Sequence, residues 1–127
     1  MNVFFDVDYT LIAYDGSLRP LVKETFEALK QRGHSIFLWS GVGLRWEVVE
    51  HHALGQWVTD CFEKPLEDHV RRLPALGIGV WPDFVVDDHP QVVAAFAGYH
   101  VKDYFWPDPT DREMQIVYDR IAAIDPL

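Results

Sequence analysis

Asp6 and Asp8 stand two positions apart where the apolar run Val3-Phe4-Phe5 ends. The chain turns after such a run, which leaves one carboxylate on the strand axis while the other swings aside. The first could attack phosphorus. The second could protonate the departing oxygen and then activate a water, a general acid/base role typically worth about 10²- to 10⁴-fold. Asp-x-Asp is equally the composition of a solvated acidic turn, so the pair needs partners. Phosphoryl transfer piles negative charge onto equatorial oxygens and calls for a hard cation and several donors aimed at them.

Asp87-Asp88 closes a second apolar run, Phe84-Val85-Val86, and brings more carboxylate oxygens of the kind magnesium prefers. Asp87 is expected on the metal and Asp88 behind it; the alternative is a surface acidic pair in a turn before Pro90. Ser40 ends the run Ile36 to Trp39 and is followed by Gly41-Val42-Gly43, where small residues let backbone N–H groups approach an anion. An ordinary helix cap would look the same. Lys64 follows the run Val58 to Phe62 and precedes Pro65, so its ammonium could neutralise a phosphate and the attacking aspartate. Many lysines in such loops are merely solvated.

These residues need a frame that brings strand ends together. The four runs are nearly continuous in apolar character, which suits strands buried on both faces. Between them lie helical patterns: Val22, Phe26 and Leu29 between Pro20 and Gly33, then a stretch from about Leu44 to His52, a third helix after Pro65, and a fourth from Pro90 with Val92, Val93 and Phe96 on one side. The last helix shows a capping box, Thr110 with Glu113, and an apolar face of Met114, Val117, Ile121 and Ile124. Tyr99-His100-Val101 reads as a fifth strand, and Gly77 to Pro82 as a connecting loop. The alternation predicts an α/β fold, a single doubly wound, Rossmann-like parallel sheet flanked by helices. Ligands of such sheets sit beyond the carboxyl ends of the strands.

With 127 residues, 49% of them apolar, the chain has material for one core and one domain. The formal charge of −9, with no basic run longer than Arg71-Arg72, argues against an extended nucleic-acid surface. Cys61 is alone, so neither an intramolecular disulfide nor a multi-cysteine zinc site can form, as suits a reducing compartment. No apolar stretch approaches the roughly 20 residues of a membrane span, and no basic leader precedes Val3, so a cytoplasmic protein is expected. Neighbouring His51-His52 point about 100° apart on a helix and do not form an i, i+4 metal pair. Trp39 reads as core, and Trp46, Trp57, Trp81 and Trp106 as core, rim or interface. Arg45 and Arg19 could reach a second anionic group on a substrate or stand solvated.

The order of parts, Asp-x-Asp-x-Thr-Leu, a strand ending in Ser, Lys-Pro, then a strand ending in Asp-Asp, closely resembles the haloacid dehalogenase superfamily of phosphohydrolases across residues 3 to about 97. The resemblance implies that Asp6 is nucleophile and metal ligand. Asp8 would be general acid/base and lend its backbone carbonyl to magnesium. Ser40, with Gly41, and Lys64 would bind phosphate, Asp87 and Asp88 would complete the metal site, and Thr10 would support the nucleophile loop. A carboxylate at position 8 favours phosphatases over the members that dehalogenate carbon or pump ions. Tyr9 departs from the smaller residue common there, and Val86-Asp87-Asp88-His89-Pro90 lacks the frequent preceding glycine and downstream aspartate. The intervals from Asp8 to Ser40 and from Ser40 to Lys64 leave room for a flap around Tyr14-Asp15-Gly16 but no cap domain. The open cleft would take a phosphorylated small molecule or phosphoprotein, and a homo-oligomer could cover it. The competing readings are a receiver-like phospho-accepting module and a non-catalytic protein that binds magnesium and phosphate.

Overall fold

The structure, a computed structural model, describes residues 1–125. Val3, Phe4 and Phe5 offer apolar side chains to both sides of the pleat, and both sides are buried, because β1 (Asn2–Asp6) is the middle strand of a five-stranded, wholly parallel sheet. Along the chain follow α1 (Val22–Gln31), β2 (Ser35–Ser40), α2 (Trp46–His51), β3 (Val58–Glu63), β4 (Phe84–Asp87), α3 (Pro90–Ala95), β5 (Gly98–His100) and α4 (Glu113–Ile124). The strand order is β3-β2-β1-β4-β5. In register, Val3 stands beside Ile36 on one side and Phe84 on the other, so the strands finish along one edge.

Alternate residues feed two cores. Val3, Phe5, Ile36, Leu38 and Val86 pack with Phe26 and Leu29 of α1 and with Met114, Val117 and Ile121 of α4. Phe4, Phe37, Trp39 and Val85 face the other way, toward Val92 of α3 and the segment carrying Leu73 and Ile78. Phe4 anchors this second core, its ring 4.9 Å from Phe37 and 4.7 Å from Trp39. The chain builds outward through β2 and β3, then returns past β1 to lay down β4 and β5. With right-handed crossovers, that reversal puts the later connections on the opposite face. The reversal between β1 and β4 is the place where ligands of doubly wound sheets bind.

Several elements differ from expectation. No α-helix follows Pro65: turns run through 66–73 and only a 3₁₀ turn forms, at Pro74–Leu76. Asp68 takes a left-handed φ of 45°, and Leu66 and Val70 lie exposed while Leu73 and Ile78 are buried, so no helical stripe exists there to bury. Helix α1 starts at Val22, two residues past Pro20, and α2 is shorter than 44–52 because Gly43, at φ 115°, still belongs to the preceding turn. The capping box does not form. Thr110 Oγ1 donates to Asp108, the Glu113 carboxylate accepts from Tyr99 Oη and the Lys102 N–H, and Asp111 Oδ1 instead accepts the Glu113 N–H. Ile124 is exposed, leaving Met114, Val117 and Ile121 as the buried face of α4. The fifth strand forms one residue earlier than expected, and 78–82 is loop.

Trp39 is core, Trp57 packs half-buried against Phe26, and Trp46, Trp81 and Trp106 are exposed. Between Asp8 and Ser40 lie only the flap, α1 and β2, and between Ser40 and Lys64 only α2 and β3, so neither interval holds a cap domain. Among the described residues no helix is long and apolar enough to cross a membrane.

Candidate active site

The turn after β1 separates the two aspartates. Tyr9 takes a left-handed φ of 62°, and the N–H groups of Thr10, Leu11 and Ile12 all converge on the Val7 carbonyl at 2.9–3.3 Å. Asp6 is thereby left in line with the strand, 4% exposed, while the Asp8 side chain emerges 39% exposed. Thr10, carried round by the same turn, donates from Oγ1 to Asp6 Oδ2 at 3.0 Å, and Lys64 Nζ donates to Asp6 Oδ1 at 3.1 Å. Both oxygens of Asp6 are thus oriented by named donors.

Lys64 reaches Asp6 because β3 ends beside β2 and the Lys64 N–H donates to the Ser40 carbonyl at 2.9 Å. Its Nζ also donates to Asp87 Oδ2 at 3.0 Å. Burial alone pulls the ammonium down, but Asp6 and then Asp87 outweigh it and hold its pKa above the ordinary lysine value, so Lys64 is a cation at neutral pH. Asp6 moves the other way. Burial first, then the Asp87 charge, raise its pKa well above the usual carboxylate range against the opposing pull of Lys64. Carboxylates crowded this closely favour taking up a cation.

The donor set fits a hard one. Ligand atoms of Asp6, Asp87, Asp88 and His89 all lie within 4.8 Å of one another. Asp87 is fully buried and committed, Oδ2 to Lys64 and Oδ1 to the His89 N–H at 2.9 Å. Asp88 Oδ1 is buried with no hydrogen-bond partner; His89 Nδ1 lies 3.0 Å away, and the hydrogen bond of that ring nitrogen is with Asp87 Oδ1 at 3.2 Å. Three carboxylates with no thiol and a single, largely exposed imidazole suit magnesium better than a transition metal.

Ser40 is buried, its Oγ accepting the Val42 N–H at 3.3 Å, and Gly41 lines a cavity of about 290 Å³ together with Lys64. A Cβ at Gly41 would lie 2.6 Å from Leu66 Cδ2, so the bare backbone also lets the exposed Leu66 side chain close over it. Every residue assigned to the site from sequence therefore lies at one sheet edge, and side-chain contacts join Asp6, Thr10, Lys64 and Asp87.

Two arginines prove different from the solvated side chains they resemble in sequence. Arg45 Nη1 donates to Asp8 Oδ2 at 2.5 Å and Nε to Glu47 at 2.8 Å. Arg19 is buried, clamps Asp111 with two bonds of 2.8 and 2.9 Å, and donates to the Thr10 carbonyl, so it braces the turn after β1 and has its charge already paired. The spacing of 92 residues between Arg19 and Asp111 hid that pair. His52 Nε2 meets the Gly16 carbonyl at 2.8 Å and ties the flap to the residue after α2. Cys61 is buried and its thiol is pushed up to about 11, by burial first and then by Asp60, which removes it as a nucleophile.

No family model and no curated protein matches this chain.

Proposed function

We propose that the chain is a magnesium-dependent phosphomonoester hydrolase of the haloacid dehalogenase type, working through an aspartyl phosphate on Asp6. The observation that carries the reading is the pairing at the switch point: a buried Asp6 oriented by Thr10 and Lys64, with a second, partly exposed carboxylate, Asp8, turned aside two residues away and held by Arg45. Attack of an Asp6 oxygen on phosphorus forms the P–O(Asp6) bond and breaks the ester P–O bond. The bonding pair leaves on the ester oxygen, which takes the proton of Asp8. Asp8, now a carboxylate, removes a proton from water as that oxygen attacks phosphorus, releasing inorganic phosphate and restoring Asp6.

Lys64 and the Ser40-Gly41 turn hold the phosphoryl oxygens, and Thr10 keeps Asp6 aligned. Magnesium, when bound, neutralises the phosphoryl oxygens and the carboxylates around them. Asp6, Asp8 and Asp88 would hold it. This exchanges the sequence assignment of the acidic pair: Asp87 spends its oxygens on Lys64 and the His89 N–H, whereas Asp88 Oδ1 is buried without a hydrogen bond and has only the largely exposed His89 ring beside it. The strand order is that of the dinucleotide-binding sheets without their sixth strand and differs from the 2-1-3-4-5 order of receivers, which weighs against the receiver reading. Phosphate release from an aryl phosphate is expected only with magnesium, abolished in Asp6→Asn and strongly reduced in Asp8→Asn. A wild-type protein that binds magnesium yet hydrolyses no phosphoester in a broad panel would overturn the enzyme reading.

A further inference from the structure

We propose that Arg45 is the positioning residue for Asp8, pinning that carboxylate so that its free oxygen faces the leaving group; the inference rests on the phosphatase reading above. Arg45 Nη1 lies 2.5 Å from Asp8 Oδ2 and 3.5 Å from Ser40 Oγ. One nitrogen therefore spans from the acid/base to the phosphate-binding hydroxyl. The Arg45 side chain is only 15% exposed, whereas that of Asp8 is 39% exposed, so the arginine is the more firmly held partner. Among the described residues no hydrogen bond reaches Asp8 Oδ1, which is left to carry the proton.

The local structure delivers Arg45 to this point against its own preferences. Gly43 turns the chain at φ 115° with its N–H on the Ser40 carbonyl, and Val48 and Val49 sink α2 into the core. Arg45 then falls at the N-cap of α2 and supplies no side-chain cap. Ser, Thr, Asp or Asn would cap that end, and a cation there opposes the helix dipole. A residue that breaks a local rule is expected to be compensated elsewhere, and the contact with Asp8 is the compensation. Capture of a second substrate anion is the weaker role, because Glu47 and Asp8 already meet the guanidinium charge from two sides.

In the step concerned, the proton leaves Asp8 Oδ1 for the ester oxygen, which keeps the electron pair of the broken P–O bond, and Asp8 becomes a carboxylate against Arg45. Help of this kind matters most when the departing oxygen is strongly basic. The test compares kcat/KM for β-glycerophosphate, phenyl phosphate and p-nitrophenyl phosphate in wild type and Arg45→Gln at saturating magnesium. The alkyl-to-nitrophenyl ratio is expected to fall about 10-fold or more in Arg45→Gln, within the range of general acid catalysis. In an Asp8→Asn background, adding Arg45→Gln should cost little more, since the residue it serves is already disabled. An equal loss on all three esters, or a full further loss on top of Asp8→Asn, overturns the inference while leaving the phosphatase reading intact. No phosphate release by wild type from any of the three sinks that reading and this one together.

Discussion

With its ammonium 3.1 Å from Asp6 and 3.0 Å from Asp87, Lys64 is the charge that allows two carboxylates to be buried side by side. Removing one member of such a set leaves the others uncompensated in a medium that solvates them poorly, at a typical cost of about 3–5 kcal/mol. Lys64→Met is accordingly expected to lower unfolding stability by about 3 kcal/mol, read from urea denaturation, and to abolish phosphate release. Lys64→Met combined with Asp87→Asn should regain part of the stability and none of the activity. An unchanged urea midpoint in the single variant would mean that the ammonium neutralises nothing buried. The identity of Lys64 was readable because it directly follows an apolar strand and precedes a proline. Its double contact was not, since Asp87 lies 23 residues further on and only the sheet order brings the two together. Arg19 and Arg45 illustrate the same limit: their partners, Asp111 and Asp8, are set by tertiary placement, and local spacing gave no sign of them.

At the level of elements, apolar continuity revealed the central strands because both faces of the sheet are covered, whereas the edges and connections obey contacts outside their own sequence. The stretch after Pro65 has helical composition, yet its job is to return the chain across the sheet, and it does so in turns. The capping signature at Thr110 and Glu113 was defeated by better local partners, Asp108 for the threonine and Tyr99 with the Lys102 N–H for the glutamate. Strand β5 shows how tight an edge can be. A Cβ on Gly98 would stand 1.9 Å from the Val85 carbonyl oxygen and 2.6 Å from the Val85 nitrogen, both backbone atoms of β4 that cannot rotate away, and φ is 153°. Gly98→Ala should therefore cost about 3 kcal/mol through forced backbone displacement. Gly33→Ala, at φ 88° with open space around the new carbon, should cost about 1 kcal/mol from conformation alone. Thermal unfolding of the two variants compares them directly, and equal losses would remove the case for close strand packing at β5.

At the scale of the whole molecule, the chain carries a net charge of −9 and gathers Asp6, Asp87 and Asp88 at the one sheet position where its direction of winding reverses. Burial and like charge make that cluster costly, as the raised pKa of Asp6 records, so a cation bound in the folded state alone should stabilise the fold by mass action. At a magnesium concentration 100 times the dissociation constant the gain is about 2.7 kcal/mol, visible as an increase of several degrees in Tm. Sodium chloride at matched ionic strength separates site binding from general screening, which acts on exposed charges over about 10 Å at 0.1 M. The shift should vanish in Asp6→Asn and shrink greatly in Asp88→Asn. In Asp87→Asn the starting Tm should drop, because Lys64 loses a partner, yet the magnesium-induced shift should largely persist, since that carboxylate faces the ammonium. The measurement needs no substrate, so it separates the cation site from catalysis. Shifts of equal size in Asp88→Asn and wild type would return the ligand role to Asp87, and a wild-type shift matched by sodium chloride would remove the metal site altogether.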